Sequence, residues 1–168
     1  MPRFLRLLTL PLLVLACTLA ACSSNDTAGA NDVGPLMRPG DDCLACHSAN
    51  SGRNAPIWSA AGTVFPEPTS SQDEGLANVR VHLSAPDGSL LETLITNAAG
   101  NFYTSRPLPR GFQVALEYQG ERIDMPCPPP GGLCNACHTL PPIGQAPGRI
   151  FIPQARDPSR PPFDCTDF

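Results

Sequence analysis

The middle of the chain alternates between apolar and polar residues with a period of two. Residues 79–84 (Val-Arg-Val-His-Leu-Ser) alternate strictly, as a strand with one buried face does. Residues 112–118 repeat the pattern, and Pro-Asp-Gly-Ser at 86–89 has the chemistry of a turn. Further strands are predicted at 57–65, 90–96, 101–104, 121–125 and 149–152. Short strands without helical periodicity between them predict a mainly β fold, a small antiparallel β-sandwich.

Composition supports this prediction and excludes one class of partner. The chain holds 21 prolines and 14 glycines, which disfavour long helices. Its net charge of −4 predicts no nucleic-acid binding, which would require a basic patch. The acidic balance instead favours basic protein partners or solubility alone. Residues 22–40 are small, polar and rich in Gly, Asn and Pro, and they are predicted to form a flexible tether.

The pattern Cys-x-x-Cys-His occurs twice, at residues 43–47 and 134–138. This spacing is that of c-type haem attachment. The pattern predicts two covalently bound haem c groups attached through Cys43, Cys46, Cys134 and Cys137, with His47 and His138 as proximal iron ligands. A zinc site made from two Cys-x-x-Cys pairs is the chemical alternative. Such pairs usually lie about 15–20 residues apart, whereas residues 47–133 separate them here, and four thiolates leave no role for the two histidines.

The N-terminal residues have the pattern of an export signal. Arg3 and Arg6 precede the apolar residues 7–19, which form too short a run to span a bilayer comfortably. The run ends in Leu-Ala-Ala-Cys at residues 19–22, which resembles the bacterial lipobox. That resemblance implies removal of residues 1–21 and acylation of Cys22, which would anchor the protein firmly to a membrane. Ordinary cleavage, giving a soluble secreted protein, is the alternative.

The resemblance also bears on which membrane carries the protein. Ser23 follows Cys22. In the lipoproteins that this N-terminus resembles, aspartate at that position favours retention in the inner membrane. The expected location is therefore the cell envelope, on the periplasmic or cell-surface face, with the outer membrane favoured.

Two cysteines remain unassigned after the motifs and the lipidated residue. Cys17 leaves with the signal, and Cys127 and Cys165 lie near the C-terminus. Disulfides persist in exported proteins, so a Cys127–Cys165 bridge around the second motif is the economical assignment. Two free thiols are the alternative.

Several short motifs resemble the carboxypeptidase-regulatory-like (transthyretin-like) domain. They are Gly62-Thr63-Val64, Ala77-Asn78-Val79-Arg80-Val81, Thr96, Gly100-Asn101-Phe102 and Leu108-Pro109-Arg110-Gly111-Phe112-Gln113-Val114. The resemblance covers residues 57–125 and implies a seven-stranded sandwich that binds or braces and does not catalyse. The whole chain is similar to exported bacterial dihaem cytochromes that bracket such a domain. The expected organisation is a signal peptide at 1–21, a tether at 22–40, a first haem-binding segment at 41–56, the sandwich at 57–125, and a second haem-binding segment with a C-terminal strand at 126–168.

The residues on the far side of each iron decide between electron transfer and catalysis. His82 is the one histidine outside the motifs, and strand alternation turns it away from the core. It is the first candidate distal ligand, Met125 is the second, and Met37 in the tether is a third. Each motif is also followed by Ala-Pro at the same offset, at 55–56 and 146–147, and then by a predicted strand. This similarity between the two motifs has two alternative explanations: chance, or comparable packing of both haems against the sandwich.

The expected function is outer-sphere electron transfer by a membrane-anchored dihaem c-type cytochrome, with other redox proteins of the envelope as partners. The chain is not expected to be an enzyme, and no catalytic residue is assigned. A dihaem peroxidase, which would need one open iron, is the first alternative. A haem-braced binding or structural module at the cell surface is the second.

Overall fold

The computed structural model describes residues 34–153 and Cys165. These residues form a mainly β structure with two short helical turns, a 3₁₀ turn at Cys43–Ala45 and the α-helical turn α1 at Cys134–Cys137. The strands are β1 Ala60–Phe65, β2 Arg80–Ser84, β3 Leu90–Ile95, β4 Asn101–Thr104, β5 Gln113–Tyr118, β6 Glu121–Asp124 and β7 Ile150–Phe151. Within the described residues no helix has the length and apolar composition needed to cross a membrane.

The strands form two sheets. One has four antiparallel strands in the order β3-β2-β5-β6, and the other has three in the order β4-β1-β7. The prediction of an antiparallel fold is wrong at one position, because β1 and β7 pair in parallel through Val64–Ile150 and Phe65–Phe151. Local alternation reveals strands but not which distant strand will pair with them.

The core lies between the two sheets and is built from the apolar phase of each strand. Val64 from β1 and Phe102 from β4 meet Val81 and Leu83 from β2 and Leu116 from β5. The polar phase of β2 and β5 points outward, as strand geometry requires. Two sheets that share one apolar layer are compatible with a β-sandwich.

Strand β1 is buried along its whole length, which sets it apart from the other strands. β4 pairs with one of its edges, and β7 pairs with the other edge from Val64 onward. Ahead of β7, the second Cys-x-x-Cys-His segment occupies that edge: Ala61 N–H donates to the carbonyl of Gly132 at 3.0 Å, and Ala61 forms a parallel bridge with Leu133. The residues just before the second motif therefore extend the three-stranded sheet along this edge of β1.

Residues 34–40 differ from the expected flexible tether. Pro39 and Gly40 are buried, and the N–H of Gly40 donates to Thr63 Oγ1 at 2.8 Å. Asn101 Nδ2 donates to the carbonyl of Met37 at 2.9 Å. This part of the predicted tether therefore packs on the outer face of β1 and β4. The signal segment at 1–21, the lipidation site Cys22 and the rest of the tether lie outside the described residues.

Candidate functional site

Each Cys-x-x-Cys-His motif forms one helical turn. His47 N–H donates to the carbonyl of Cys43 at 2.9 Å, and His138 N–H donates to that of Cys134 at 3.0 Å. Residues four apart lie on the same face of a helical turn, so each turn groups a cysteine with its histidine. The two motifs, from opposite ends of the domain, thus adopt the same local backbone arrangement.

Both motif histidines make the same hydrogen bond through the same ring nitrogen. His47 Nδ1 lies 2.8 Å from the carbonyl oxygen of Pro56, and His138 Nδ1 lies 3.0 Å from that of Gly148. A carbonyl only accepts, so Nδ1 must carry the proton and Nε2 keeps its lone pair. Burial lowers the pKa of His138 and so favours the neutral ring, and it outweighs the opposite effect of the hydrogen bond to Gly148. Both rings are therefore held in the tautomer that binds a metal through Nε2.

The Ala-Pro pairs that follow the two motifs at the same offset have similar roles in the structure. Pro56 closes the first Ala-Pro pair, and Gly148 directly follows the second pair at 146–147. Each pair leads the chain past its histidine and into a strand, β1 after the first and β7 after the second. Since β1 and β7 pair with each other, the two motif–loop–strand units lie side by side.

A stack of three rings fixes the plane of His47. Its ring centroid lies 3.6 Å from that of Trp58 with an interplanar angle of 6°, and Trp58 stacks on Tyr103 at 4.2 Å and 10°. His47 is 6% exposed and Tyr103 is 38% exposed. The stack covers one face of the imidazole and leaves its in-plane nitrogens unaffected. Sequence reasoning did not single out Trp58, because its only signal was its position two residues after Pro56.

A cavity of about 380 Å³ adjoins the second motif. This volume is within the range of about 300–1,000 Å³ typical of small-molecule sites. Its wall includes Cys134, Cys137 and His138, together with apolar side chains from β5 and β6 and from the proline-rich segment after β6. Met125 also lines it, because Ile123 and Met125 share the inward phase of that segment. The structure thus brings a predicted proximal ligand and a predicted distal ligand to one cavity.

Arg149 is a buried arginine that contributes to the wall of this cavity. Arg149 donates from Nη1 to the carbonyl of Gly40 at 3.1 Å, and its guanidinium lies 4.7 Å from the centroid of the Phe65 ring. Its Nε is buried without a hydrogen-bond partner, and no carboxylate among the described residues pairs with it. A buried cation is costly unless an anion compensates it. The apolar wall of the cavity and the His138 tautomer with a free Nε2 lone pair fit a haem, whereas the guanidinium of Arg149 contacts Gly40 and Phe65, which do not line the cavity.

The first motif borders a wider cavity of about 660 Å³. Met37 lines it together with Cys46 and His47. Met37 also lines a small neighbouring cavity of about 50 Å³ that touches Cys43 and Trp58. The third candidate distal ligand therefore lies beside the first motif, on the part of the predicted tether that packs against the sheet.

His82 does not meet either motif. It lies on the outer face of the four-stranded sheet, where Nδ1 is 3.0 Å from Thr93 Oγ1 and Nε2 is 3.0 Å from Glu117 Oε2. The pKa of Glu117 is lowered, chiefly by the hydrogen bond from His82 and to a smaller extent by the hydrogen bond from Arg80. His82 lines none of the three cavities around the motifs. Alternation placed the side chain outside the core, but the motifs pack on the other sheet.

The motif thiols differ in their state. Cys43, Cys134 and Cys137 are free thiols, whereas Cys46 is disulfide-bonded, so attachment of a haem at Cys46 requires its reduced form. Burial, with Asp42 next, raises the pKa of Cys43 to about 11. Burial, with the neighbouring Cys43 next, raises the pKa of Cys134 to about 12. Both of these thiols are therefore in the protonated form at neutral pH.

The remaining cysteine pair is joined. Cys127 and Cys165 form a disulfide with their Cα atoms 5.5 Å apart. Cys127 is buried and also lines the cavity beside the second motif. The bridge therefore closes the chain around the second motif at the wall of its cavity.

Asn135, between the two cysteines of the second motif, is a site residue that sequence reasoning missed. It is 3% exposed and belongs to a buried polar network with Thr63 and Asn101. Its position in a Cys-x-x-Cys pair gave no signal, because those intervening residues are variable in the motif definition.

No protein-family model, curated protein or solved structure matches the chain. Among the described residues, no group of three or more His, Cys, Asp or Glu side chains is arranged to hold a metal ion.

Proposed function

We propose that this chain is a membrane-anchored dihaem c-type cytochrome that transfers electrons in the cell envelope. The duplicated Nδ1–carbonyl hydrogen bond is the observation that carries the proposal. Iron ligation through Nε2 requires a free lone pair on that nitrogen, and a proton held on Nδ1 by a backbone carbonyl provides this tautomer. Both motifs meet this requirement and adjoin a cavity.

Each motif would supply the cysteines and the histidine that hold one haem. Cys43, Cys46, Cys134 and Cys137 would form the thioether bonds, and His47 and His138 would bind iron through Nε2. The carbonyls of Pro56 and Gly148 keep each imidazole oriented and increase its basicity. Haem, when bound, supplies a ferrous–ferric couple, whose potential depends on axial ligands and on burial. In finer detail, we propose that the two sheets are a transthyretin-like sandwich.

Met125 favours an electron carrier over an enzyme. Met125 lines the same cavity as His138, where its thioether would be the distal ligand of the second haem. An iron closed on both faces changes little in geometry when its charge changes, and it excludes peroxide. The acidic chain would then serve partners with basic surfaces, because complementary potentials accelerate encounter.

Haem content is the decisive experiment. The protein is produced in a host with a working cytochrome c maturation system, and its intact mass is measured. Two haem masses beyond the polypeptide and lipid are expected. The Cys43→Ala/Cys46→Ala and Cys134→Ala/Cys137→Ala variants should each lose one of them, which assigns the groups to the motifs. A wild type with one haem or none would contradict the proposal.

Anchoring is tested separately. We expect Cys22→Ala to abolish acylation and release the protein from the membrane or leave uncleaved precursor. The wild type should stay with membranes in high salt, because salt screens ionic attachment and not hydrophobic attachment. Recovery of an unmodified soluble wild type would leave the haem proposal intact and remove the lipid anchor from it.

A further inference from the structure

Asn135 connects the second motif to the segment that carries the first. Thr63 N–H donates to Asn135 Oδ1 at 3.0 Å, and since an N–H only donates, this contact fixes the orientation of the amide. Nδ2 then faces the other way and donates to the carbonyl of Asp41 at 2.9 Å and to Thr63 Oγ1 at 3.2 Å. Asp41 lies two residues before Cys43, so this one side chain spans both attachment sites and the strand between them.

The network continues from Thr63 into the first segment. Thr63 Oγ1 donates to Asn101 Oδ1 at 2.7 Å and accepts from Gly40 N–H at 2.8 Å. Asn101 Nδ2 in turn donates to the carbonyl of Met37 at 2.9 Å. Residues 37–41 are therefore held by three hydrogen bonds, one buried and two partly buried, that trace back to Asn135. A fully satisfied buried polar network is rigid, because any displacement leaves buried groups without partners.

The first cysteines of the two motifs lie close together as a result. Cys43 Sγ is 3.9 Å from Asn135 Nδ2, and Asn135 adjoins Cys134 in the chain. Each thiol also points toward the carbonyl two residues before it, Asp41 for Cys43 and Gly132 for Cys134, both at 3.5 Å. The two sites thus present equivalent sulfurs to each other across Asn135.

We propose that Asn135 is a positioning residue that holds the two attachment sites as one rigid pair, so that the two haems act as a coupled unit and exchange electrons directly. This inference rests on the proposed function. Two redox centres at a short, fixed separation influence each other, because reducing one removes positive charge near the other. The chain would then accept electrons at one motif and deliver them from the other.

The coupling is measured by electron paramagnetic resonance of the fully oxidised protein. The reference spectra come from Cys43→Ala/Cys46→Ala and Cys134→Ala/Cys137→Ala, each of which carries one haem. We expect the wild-type spectrum to differ from the sum of these two, through spin–spin broadening. We also expect the midpoint potential of each haem to shift when the other is missing. A wild type that carries two haems but equals the sum, with unshifted potentials, would overturn the inference and leave the proposed function standing.

Two substitutions test the role of Asn135 itself. Asn135→Leu gives the second motif the sequence of the first, Cys-Leu-Ala-Cys-His, so haem attachment should persist while every amide contact is lost. Asn135→Asp keeps the acceptor for Thr63 N–H and loses the donor to Asp41. In both variants we expect two haems and a spectrum closer to the sum of the single-haem spectra. An unchanged coupling in both would show that Asn135 does not position the sites.

Thr96→Val is the matched control for general destabilisation. Thr96 is 2% exposed and its hydroxyl bridges two backbone groups, donating to Leu76 and accepting from Val79, remote from both motifs. Its removal should lower stability and leave the coupling as in the wild type. A loss of coupling in Thr96→Val equal to that in the Asn135 variants would assign the effect to stability and not to positioning.

Discussion

At the scale of single residues, strand phase and a helical turn bring two candidate axial ligands to the cavity beside the second motif. Met125 lies two residues after Ile123, and both side chains point inward from the end of β6. His138 reaches the same cavity from α1, with its ring orientation fixed by Gly148. Neither residue depends on the other for its position, so a methionine–histidine pair can be tested one side at a time.

We expect Met125→Leu to open the second iron. Leucine has nearly the volume of methionine, so the fold should lose less than about 1.5 kcal/mol of stability, but it cannot ligate. One haem should become high spin, bind carbon monoxide and lose the near-infrared absorption of methionine ligation, as recorded by optical spectroscopy. His82→Ala is the control, because its ring faces Thr93 and Glu117, and its spectrum should match that of the wild type.

Two other outcomes would change the assignment of the distal ligand or the proposed function. If His82→Ala converts a haem to high spin and Met125→Leu does not, the sheet face that carries His82 is the ligand face after all. If the wild type already holds a high-spin haem that binds carbon monoxide, the dihaem peroxidase becomes the better description of the chain.

His82 also shows which part of a site can be predicted from sequence. Alternation along residues 79–84 correctly predicted that its side chain leaves the core. It could not show which of the two outer faces receives the motif segments, because that depends on contacts between residues far apart in the chain. Asn135 escaped prediction for the same reason, because it bonds to Asp41 at the other end of the domain. Trp58 escaped because its local sequence gives no signal for its stacking on the ring of His47.

At the scale of elements, β1 organises the molecule. All seven predicted strands are present, and their observed bounds fall within the predicted ones. Strict alternation and turn residues define strands locally, so this much could be predicted. The parallel pairing of β1 with β7, and the second motif lying along the edge of β1, could not be, since both join the two ends of the domain.

The contact between β1 and α1 leaves no room for a side chain at Gly62. A Cβ there would lie 2.7 Å from the Phe102 ring and 2.9 Å from the Cβ of Cys134. We expect Gly62→Ala to lower the free energy of unfolding by about 1–3 kcal/mol and to reduce haem attachment at the second motif. Denaturant titration and intact mass measure the two effects.

Gly131→Ala is the control for this substitution. Gly131 lies in the same segment, but a Cβ there would meet only Leu133 Cδ1 at 3.8 Å, an ordinary contact. Its stability and haem content should stay close to those of the wild type. Equal behaviour of the two alanine variants would show that the packing of α1 on β1 is not as tight as these distances indicate.

At the scale of the whole molecule, segments from both ends of the domain meet at one strand. The first motif precedes the sheets and the second follows them, yet both pack against β1 and are joined through Asn135. The apolar layer between the sheets holds the strands together, and the motif segments pack at its margin. This arrangement makes the position of the second motif depend on how the C-terminal part of the chain is held.

The Cys127–Cys165 disulfide holds that part, and its removal is the last prediction. The bridge closes residues 128–164 into a loop that contains the second motif, and cross-links of this kind typically contribute about 2–4 kcal/mol by restricting the unfolded chain. We expect Cys127→Ala/Cys165→Ala to lower the denaturant midpoint accordingly. Because Cys127 also lines the cavity beside His138, the second haem should become more accessible to carbon monoxide while the first keeps its spectrum.

Cys165→Ala alone breaks the same bridge and leaves the buried thiol of Cys127 in place, so it should reproduce the loss of stability. An unchanged midpoint in both variants would mean that the loop is held by other contacts, and the second haem would then not depend on the bridge.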